Sequence, residues 1–369
     1  ARVGLIEPYR SRLTIDPSGG FGAGGVYYTS AGGLGLANQI SFSDLLGDNR
    51  LGLLLNFYGS VSNSDLAATY YYLRRRVDLG VGLFHYKNYY SSAITSVGEL
   101  LPGDTFFSER NYGLYGVASY PFSTFRRLDL ELELMRSQRT LLDLDPTGQY
   151  LIATDERTVT LAQPSLSFVH DSAFFGGYGP VTGSRLVLSW APALPLGGEA
   201  LRRQTFALDA RRYWQPFRRN TLALRLIGAV SDGSDSRKFV LGGPVTLRGY
   251  RFYDFETIDK LAGSTLAMAN FEYRLPFVDY LIFGWPGRWG LSGLGGTLFF
   301  DIGAAWDGKL RMFGPDDRGR TALRDLRADY GLGLRTRLSF LAIKLDWAWK
   351  TALRRHEGAV FHFSIGPEF

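Results

Sequence analysis

Leu128-Asp129-Leu130-Glu131-Leu132-Glu133-Leu134 alternates without a break between apolar and acidic side chains. Successive side chains of a β-strand point to opposite faces, so this period of two gathers the leucines on one face and the carboxylates on the other. The same alternation returns in Ile343, Leu345, Trp347 and Trp349, interleaved with Lys344, Asp346 and Lys350. It closes the chain in Phe361, Phe363, Ile365 and Phe369, opposite His362, Ser364 and Glu368. Charges on the inner face of a soluble sandwich would be buried without partners, at considerable cost. A water-filled lumen solvates them while the apolar face meets lipid, which points to a transmembrane β-barrel.

Working outward, period-two runs separated by turn signals continue from about residue 19 to the last residue. They give sixteen candidate strands, near 19–29, 33–43, 50–60, 66–76, 78–89, 109–120, 124–138, 156–170, 182–192, 203–215, 220–231, 264–277, 295–306, 327–339, 341–351 and 359–369. The expected fold is an all-β, 16-stranded antiparallel barrel whose even count puts both termini on one side, the periplasm for this class. Tight connections include Gly47-Asp48-Asn49, Arg76-Val77-Asp78 and Pro216 to Asn220, whereas long ones run near 90–108, 139–155, 232–263 and 307–326. On the short side, segments 171–181 and 278–294 exceed the usual length. The second, with Tyr280, Phe283, Trp285 and Trp289, is expected to be a rim plug or an interfacial anchor. Residues 1–18 are read as a lead-in, with Leu5 to Ile15 like the tail of a linker, and 19–369 as the barrel.

The 369 residues carry formal net charge +6, with 45% hydrophobic and 15% aromatic side chains, and show no break in composition and no Pro- or Ser-rich linker. A helical membrane span needs about 20 consecutive apolar residues, and no such run is present. The lack of cysteine excludes disulfides, thiol nucleophiles and thiolate metal sites. The positive balance is almost all arginine, spread over strands and turns rather than gathered on one face, so no nucleic-acid partner is expected. No Gly-rich Lys-Ser/Thr phosphate loop occurs, and no cofactor is implied.

His85, His170, His356 and His362 show no spacing that implies a shared site, so no catalytic residue is assigned. A barrel lipase would need a Ser–His pair with an acidic or amide partner near one rim. Asp143-Leu144-Asp145-Pro146-Thr147-Gly148 has only part of a calcium loop, lacking the third acid and the distal Glu. It reads as a solvated outer loop, and no metal is expected.

Other stretches are more specific. Leu241-Gly242-Gly243-Pro244-Val245-Thr246-Leu247-Arg248-Gly249-Tyr250 lies in the long connection 232–263 and combines glycines with one planar cation able to pair with a wall carboxylate. Asn270-Phe271-Glu272-Tyr273-Arg274-Leu275-Pro276 sits in the following strand, and Phe299-Phe300-Asp301-Ile302-Gly303-Ala304-Ala305-Trp306 in the one after. Alternation sends Phe300, Ile302 and Trp306 toward lipid and Asp301 and Gly303, with Glu272, toward the lumen. The run Phe361-His362-Phe363-Ser364-Ile365-Gly366-Pro367-Glu368-Phe369 ends on an aromatic and forms an edge strand able to add to an exposed sheet edge.

These stretches resemble the signature elements of the BamA-type outer-membrane assembly and secretion superfamily, also called bacterial surface antigens. The first is similar to the family's Val-Arg-Gly-Phe/Tyr loop, with Leu247 where Val is usual, and Phe299 to Gly303 to its Phe-x-Asp-x-Gly strand motif. The resemblance implies a long sixth extracellular loop folded back into the lumen, with Arg248, Gly249 and Tyr250 as a lock on Asp301, Gly303 and Glu272. An ion pair from Arg248 to Asp301 is expected, with Glu272 as second acceptor and the guanidinium stacked on an aromatic such as Tyr250. Phe361, Phe363, Ile365 and Phe369 look like the signal read by the bacterial assembly machinery, an ending that many unrelated outer-membrane barrels share.

By this resemblance the leading function is polypeptide insertion or translocation, or envelope assembly, without covalent chemistry. The first strand, with Gly19, Gly20, Gly22, Gly24 and Gly25, and the last, with Gly366-Pro367, should pair poorly, as lateral opening would require. The same glycines equally suit barrel curvature. The rival is an anchoring scaffold barrel for a periplasmic or surface domain, since the family's insertases typically carry POTRA repeats and other relatives a propeller or a hydrolase. A passive porin is a third reading, against which the plug-type loop argues. Expected partners are outer-membrane lipids and lipopolysaccharide, the assembly machinery during biogenesis, and periplasmic or envelope-complex proteins.

Overall fold

The computed structural model describes residues 12–15, 22–29, 33–58, 60–91, 106–144, 151–176, 179–196, 202–217, 219–234, 236, 238–250, 261–285, 287–315, 319–338, 341–351 and 356–365. Its long strands in chain order are β1 (Gly22–Thr29), β2 (Gly33–Ser43), β3 (Asn49–Tyr58), β4 (Ser60–Tyr72), β5 (Asp78–Ser91), β6 (Phe106–Ser123), β7 (Arg126–Leu144) and β8 (Leu151–Asp171). They continue as β9 (Gly179–Pro195), β10 (Arg203–Phe217), β11 (Asn220–Asp232), β12 (Thr265–Phe283), β13 (Trp289–Trp306), β14 (Arg327–Leu338), β15 (Leu341–Thr351) and β16 (His356–Ile365). Each pairs antiparallel with its neighbours in sequence. With the two-residue Thr14–Ile15, which pairs with Ser43 and Phe42 of β2, they make an antiparallel sheet of 17 strands. The short Phe174–Gly176 hangs on the start of β9 and brings the total to 18. Among the described residues there is no helix, and no ladder joins β16 to β1.

Alternation along the chain becomes two unlike faces in space. On β7, Leu130 and Leu132 are 55% and 47% exposed, while Phe361 and Phe363 of β16 stand equally bare. The opposite face holds Asp301, Asp329, Asp346, Glu272, Arg274 and Arg335, all buried. A soluble protein arranges these groups the other way round. The 19 residues of β7 and 21 of β8 exceed the roughly 9–11 that a tilted membrane-spanning strand requires.

Several boundaries differ from the sequence reading: β4 begins at Ser60 rather than 66, and β7 and β8 run to Leu144 and from Leu151, into the connection expected over 139–155. The strand expected to reach residue 76 ends at Tyr72, where Leu73 donates its amide to the Asp48 carbonyl at 2.7 Å and the run of three arginines, Arg74 to Arg76, follows in the turn. The connection expected over 278–294 instead prolongs β12 to Phe283 and starts β13 at Trp289, because Tyr280-Leu281-Ile282-Phe283 consists of good strand formers. Asp145 to Gly148, Gly19, Gly20, Gly366 to Phe369 and residues 251–260 lie outside the described residues.

Between β11 and β12 the chain turns back onto the buried face. Phe239–Val240 pairs with Ala262–Gly263, and Leu241, Leu247, Tyr250 and Leu261 pack against Ala229, Leu266, Met268 and Ala305 of β11, β12 and β13. Leu241, Leu247 and Leu261 are fully buried. This apolar cluster seats the segment that carries Arg248.

Candidate functional site

The segment Leu241 to Tyr250 is braced internally before it meets the wall. Gly243 donates its amide to the Tyr250 carbonyl at 2.7 Å, Tyr250 to Leu247 at 3.1 Å, and the Thr246 hydroxyl to the Gly242 carbonyl at 2.6 Å. These bonds close a compact turn with Arg248 near its end.

Arg248 is 3% exposed and donates to two strands at once. Its Nε reaches Asp301 Oδ2 at 2.7 Å and its Nη2 reaches Asp301 Oδ1 at 2.7 Å, a two-pronged contact with β13. Its Nη1 reaches Glu272 Oε1 on β12 at 2.6 Å. The guanidinium carbon lies 3.6 Å from the centroid of the Phe299 ring. Burial opposes the cationic form, but Asp301 and Glu272 outweigh it and hold the Arg248 pKa well above its ordinary value. Such a buried charge survives because its donors are answered by carboxylates; removing one partner typically costs about 3–5 kcal/mol.

The carboxylates are themselves supported. Asn270 donates its Nδ2 to Asp301 Oδ1 at 2.8 Å within the wall and to the Thr246 carbonyl at 2.7 Å, which ties wall to segment. Arg274 Nε donates to Glu272 Oε2 at 2.8 Å. Arg225 of β11 donates to the Val245 carbonyl at 3.2 Å, and the His362 Nε2 of β16 lies 2.7 Å from the Arg248 carbonyl. The segment thus touches strands from β11 to β16.

Gly249 and Gly303 let the backbones approach. A Cβ on Gly249 would meet Asp329 Cβ of β14 at 2.5 Å, and one on Gly303 would meet Met268 Cβ at 2.7 Å and Leu241 Cδ1 at 3.1 Å. Tyr250 is buried, with the Lys350 ammonium 4.9 Å from its ring centroid. The ring under Arg248 is therefore Phe299 and not Tyr250, which corrects the expected stack. Beside the segment lies a cavity of about 220 Å³ lined by Arg211, Arg225, Arg335, Lys344, Glu272 and Asp346.

Arg248, Asp301, Glu272 and Gly303 thus stand together; Phe361 and Phe363 flank His362, which meets the segment, but are exposed on the other face of the sheet, Ile365 pairs with Ile343, and Phe369 falls outside the described residues. Sequence reasoning missed Phe299 and Asn270 as contacts, although both sit at inward parity with residues it singled out. It also missed a knot at one rim, where His170 Nε2 lies 3.2 Å from Ser184 Oγ and 3.3 Å from Ser172 Oγ. No hydrogen-bond partner meets His170 Nδ1 among the described residues, so nothing there orients the ring as a hydrolase requires. Among the described residues no group of three or more His, Asp or Glu could hold a metal ion.

The fold has counterparts among known structures. No curated protein matches the sequence. Among solved structures, BamA from Haemophilus ducreyi lacking POTRA domains 1-3 is similar at TM-score 0.63 and 17% identity, over 96% of this chain and 70% of that one. CdiB from Escherichia coli follows at TM-score 0.54 and 13% identity, over 98% of this chain and 62% of that one. CdiB from Acinetobacter baumannii gives TM-score 0.52 and 14% identity, over 90% and 56% respectively. The chain therefore spans less than two thirds of either CdiB chain. The family model described as the Omp85 superfamily domain matches residues 33–369, and the chain belongs to that superfamily of outer-membrane β-barrels.

Proposed function

We propose that residues 19–369 close into a 16-stranded transmembrane barrel, with residues 1–18 as a periplasmic lead-in and both termini periplasmic. In this reading the connection 232–263 is the sixth extracellular loop, folded into the lumen and locked by Arg248, Gly249 and Tyr250 on Asp301, Gly303 and Glu272. The barrel inserts or translocates polypeptide, or assembles another envelope component, by offering a wall that opens rather than by breaking covalent bonds. Lipids and lipopolysaccharide surround it, and Phe361, Phe363, Ile365 and Phe369 present it to the assembly machinery during its own biogenesis.

The observation that carries the reading is Arg248 bound to Asp301 and Glu272 on the buried face of the sheet, opposite the exposed apolar side chains. A passive pore has no need of a segment pinned across its interior by a buried ion pair. An anchoring scaffold for a further domain is the second reading; the additional length of the CdiB chains fits either one. Proteoliposomes containing the barrel, mixed with a urea-unfolded outer-membrane protein, distinguish the two. Faster appearance of heat-modifiable folded client than in empty liposomes is expected; equal rates would leave the scaffold reading standing.

A further inference from the structure

The β12–β13 hairpin presents a surface that neither the sheet nor the buried face uses. β11 pairs with β12 no farther than Arg274, and β14 pairs with β13 no farther than Ser292, which stands opposite Tyr280. Beyond Tyr280 the ribbon has no neighbouring strand on either edge among the described residues. Residues 280–291 contain one charge, Arg288. Tyr280 and Ile282 on one face are 59% and 62% exposed, Leu281 on the other is 36% exposed, and Trp285 at the tip is 84% exposed.

A two-stranded ribbon is marginal alone in water, and its open edges invite further pairing. This one must be covered on both faces. The surface of a protein partner covers one face of a ribbon and leaves the other in water, whereas a bilayer interface surrounds it. Tyr and Trp with an accompanying cation also favour the headgroup level. Continuity with the wall points the same way, since the same rim carries bare rings at Phe125 between β6 and β7, at Phe174 and Phe175 between β8 and β9, and at Phe217 ending β10. Both strands carry register shifts at the base of the ribbon, between Pro276 and Val278 and between Ser292 and Gly295, and such bulges bend a ribbon out of line with its sheet. Arg219 of the β10–β11 turn pairs with Asp279 and holds that base toward the neighbouring turn.

We propose that the hairpin from Phe277 to Leu291 lies in the phospholipid headgroup layer as a foot of the barrel, its partner being the bilayer interface at the rim where β16 ends. The proposal rests on the reading of the chain as a membrane-spanning barrel.

The absence of native cysteine allows Ile282→Cys, Leu281→Cys and Leu130→Cys to be labelled singly with an environment-sensitive fluorophore in the full chain, reconstituted into phosphatidylcholine vesicles. At both hairpin positions a nitroxide on the lipid headgroup should quench more than aqueous iodide does. Stronger quenching by iodide, quenching by neither, or lipid contact on one face alone overturns the proposal. Leu130 should respond to a nitroxide set in the acyl chain. Its failure to do so would defeat the barrel placement itself, whereas failure at the hairpin with Leu130 quenched defeats only the foot.

Discussion

Gly249 packs against Asp329 so closely that a Cβ on it would lie 2.5 Å from the Asp329 Cβ. Asp329 is fully buried on β14 and stands opposite Asp301 in the ladder, so it has little room to retreat. Gly249→Ala should therefore push the Arg248 turn off the wall, at a cost of about 1–3 kcal/mol typical of overpacking. Limited proteolysis of the refolded protein would show faster cleavage between residues 232 and 263. Gly284→Ala, where nothing lies within 4 Å of the added carbon, should leave that cleavage unchanged.

The two faces of β7 differ in what they tolerate. Leu130→Arg places a cation on the exposed apolar face and should destabilise the barrel in lipid by roughly 2–4 kcal/mol at mid-membrane depth. Glu131→Arg, on the opposite face, should cost much less. Unfolding titrations in vesicles, followed by the gel shift between unboiled and boiled protein, measure both. Equal losses would mean that the face assignment is wrong.

Deleting Phe369 should lower the amount of barrel reaching the outer membrane of cells far more than it lowers the stability of protein refolded from urea. A terminal aromatic read by the assembly machinery matters during biogenesis, whereas in the finished wall it is one apolar side chain among many. Unchanged membrane levels would remove its role as a signal.

Strand order and face parity were legible because they depend on near neighbours. The strands expected over 33–43 and 341–351 coincide with β2 and β15. Parity also put Asp301, Gly303 and Glu272 on the face that meets Arg248. Parity does not say which side chain of a returning segment lies over which residue of the wall. Phe299 rather than Tyr250 lies beneath the guanidinium, and His362 reaches its carbonyl across a sequence separation of 114 residues. The β12–β13 extension was missed for a different reason. A run apolar on both faces shows no period, and without a period a strand cannot be told from a plug.

The Arg248–Asp301 pair is the centre of the account, and a double-mutant cycle measures it most directly. Arg248→Met, Asp301→Asn and their combination would be compared by unfolding free energy in vesicles, with the gel shift confirming that each barrel is folded. Each single change leaves a buried group without its partner, so the account predicts that both destabilise and that the double variant loses little more than either, a coupling of about 3 kcal/mol. Additive losses, with no coupling, would contradict it.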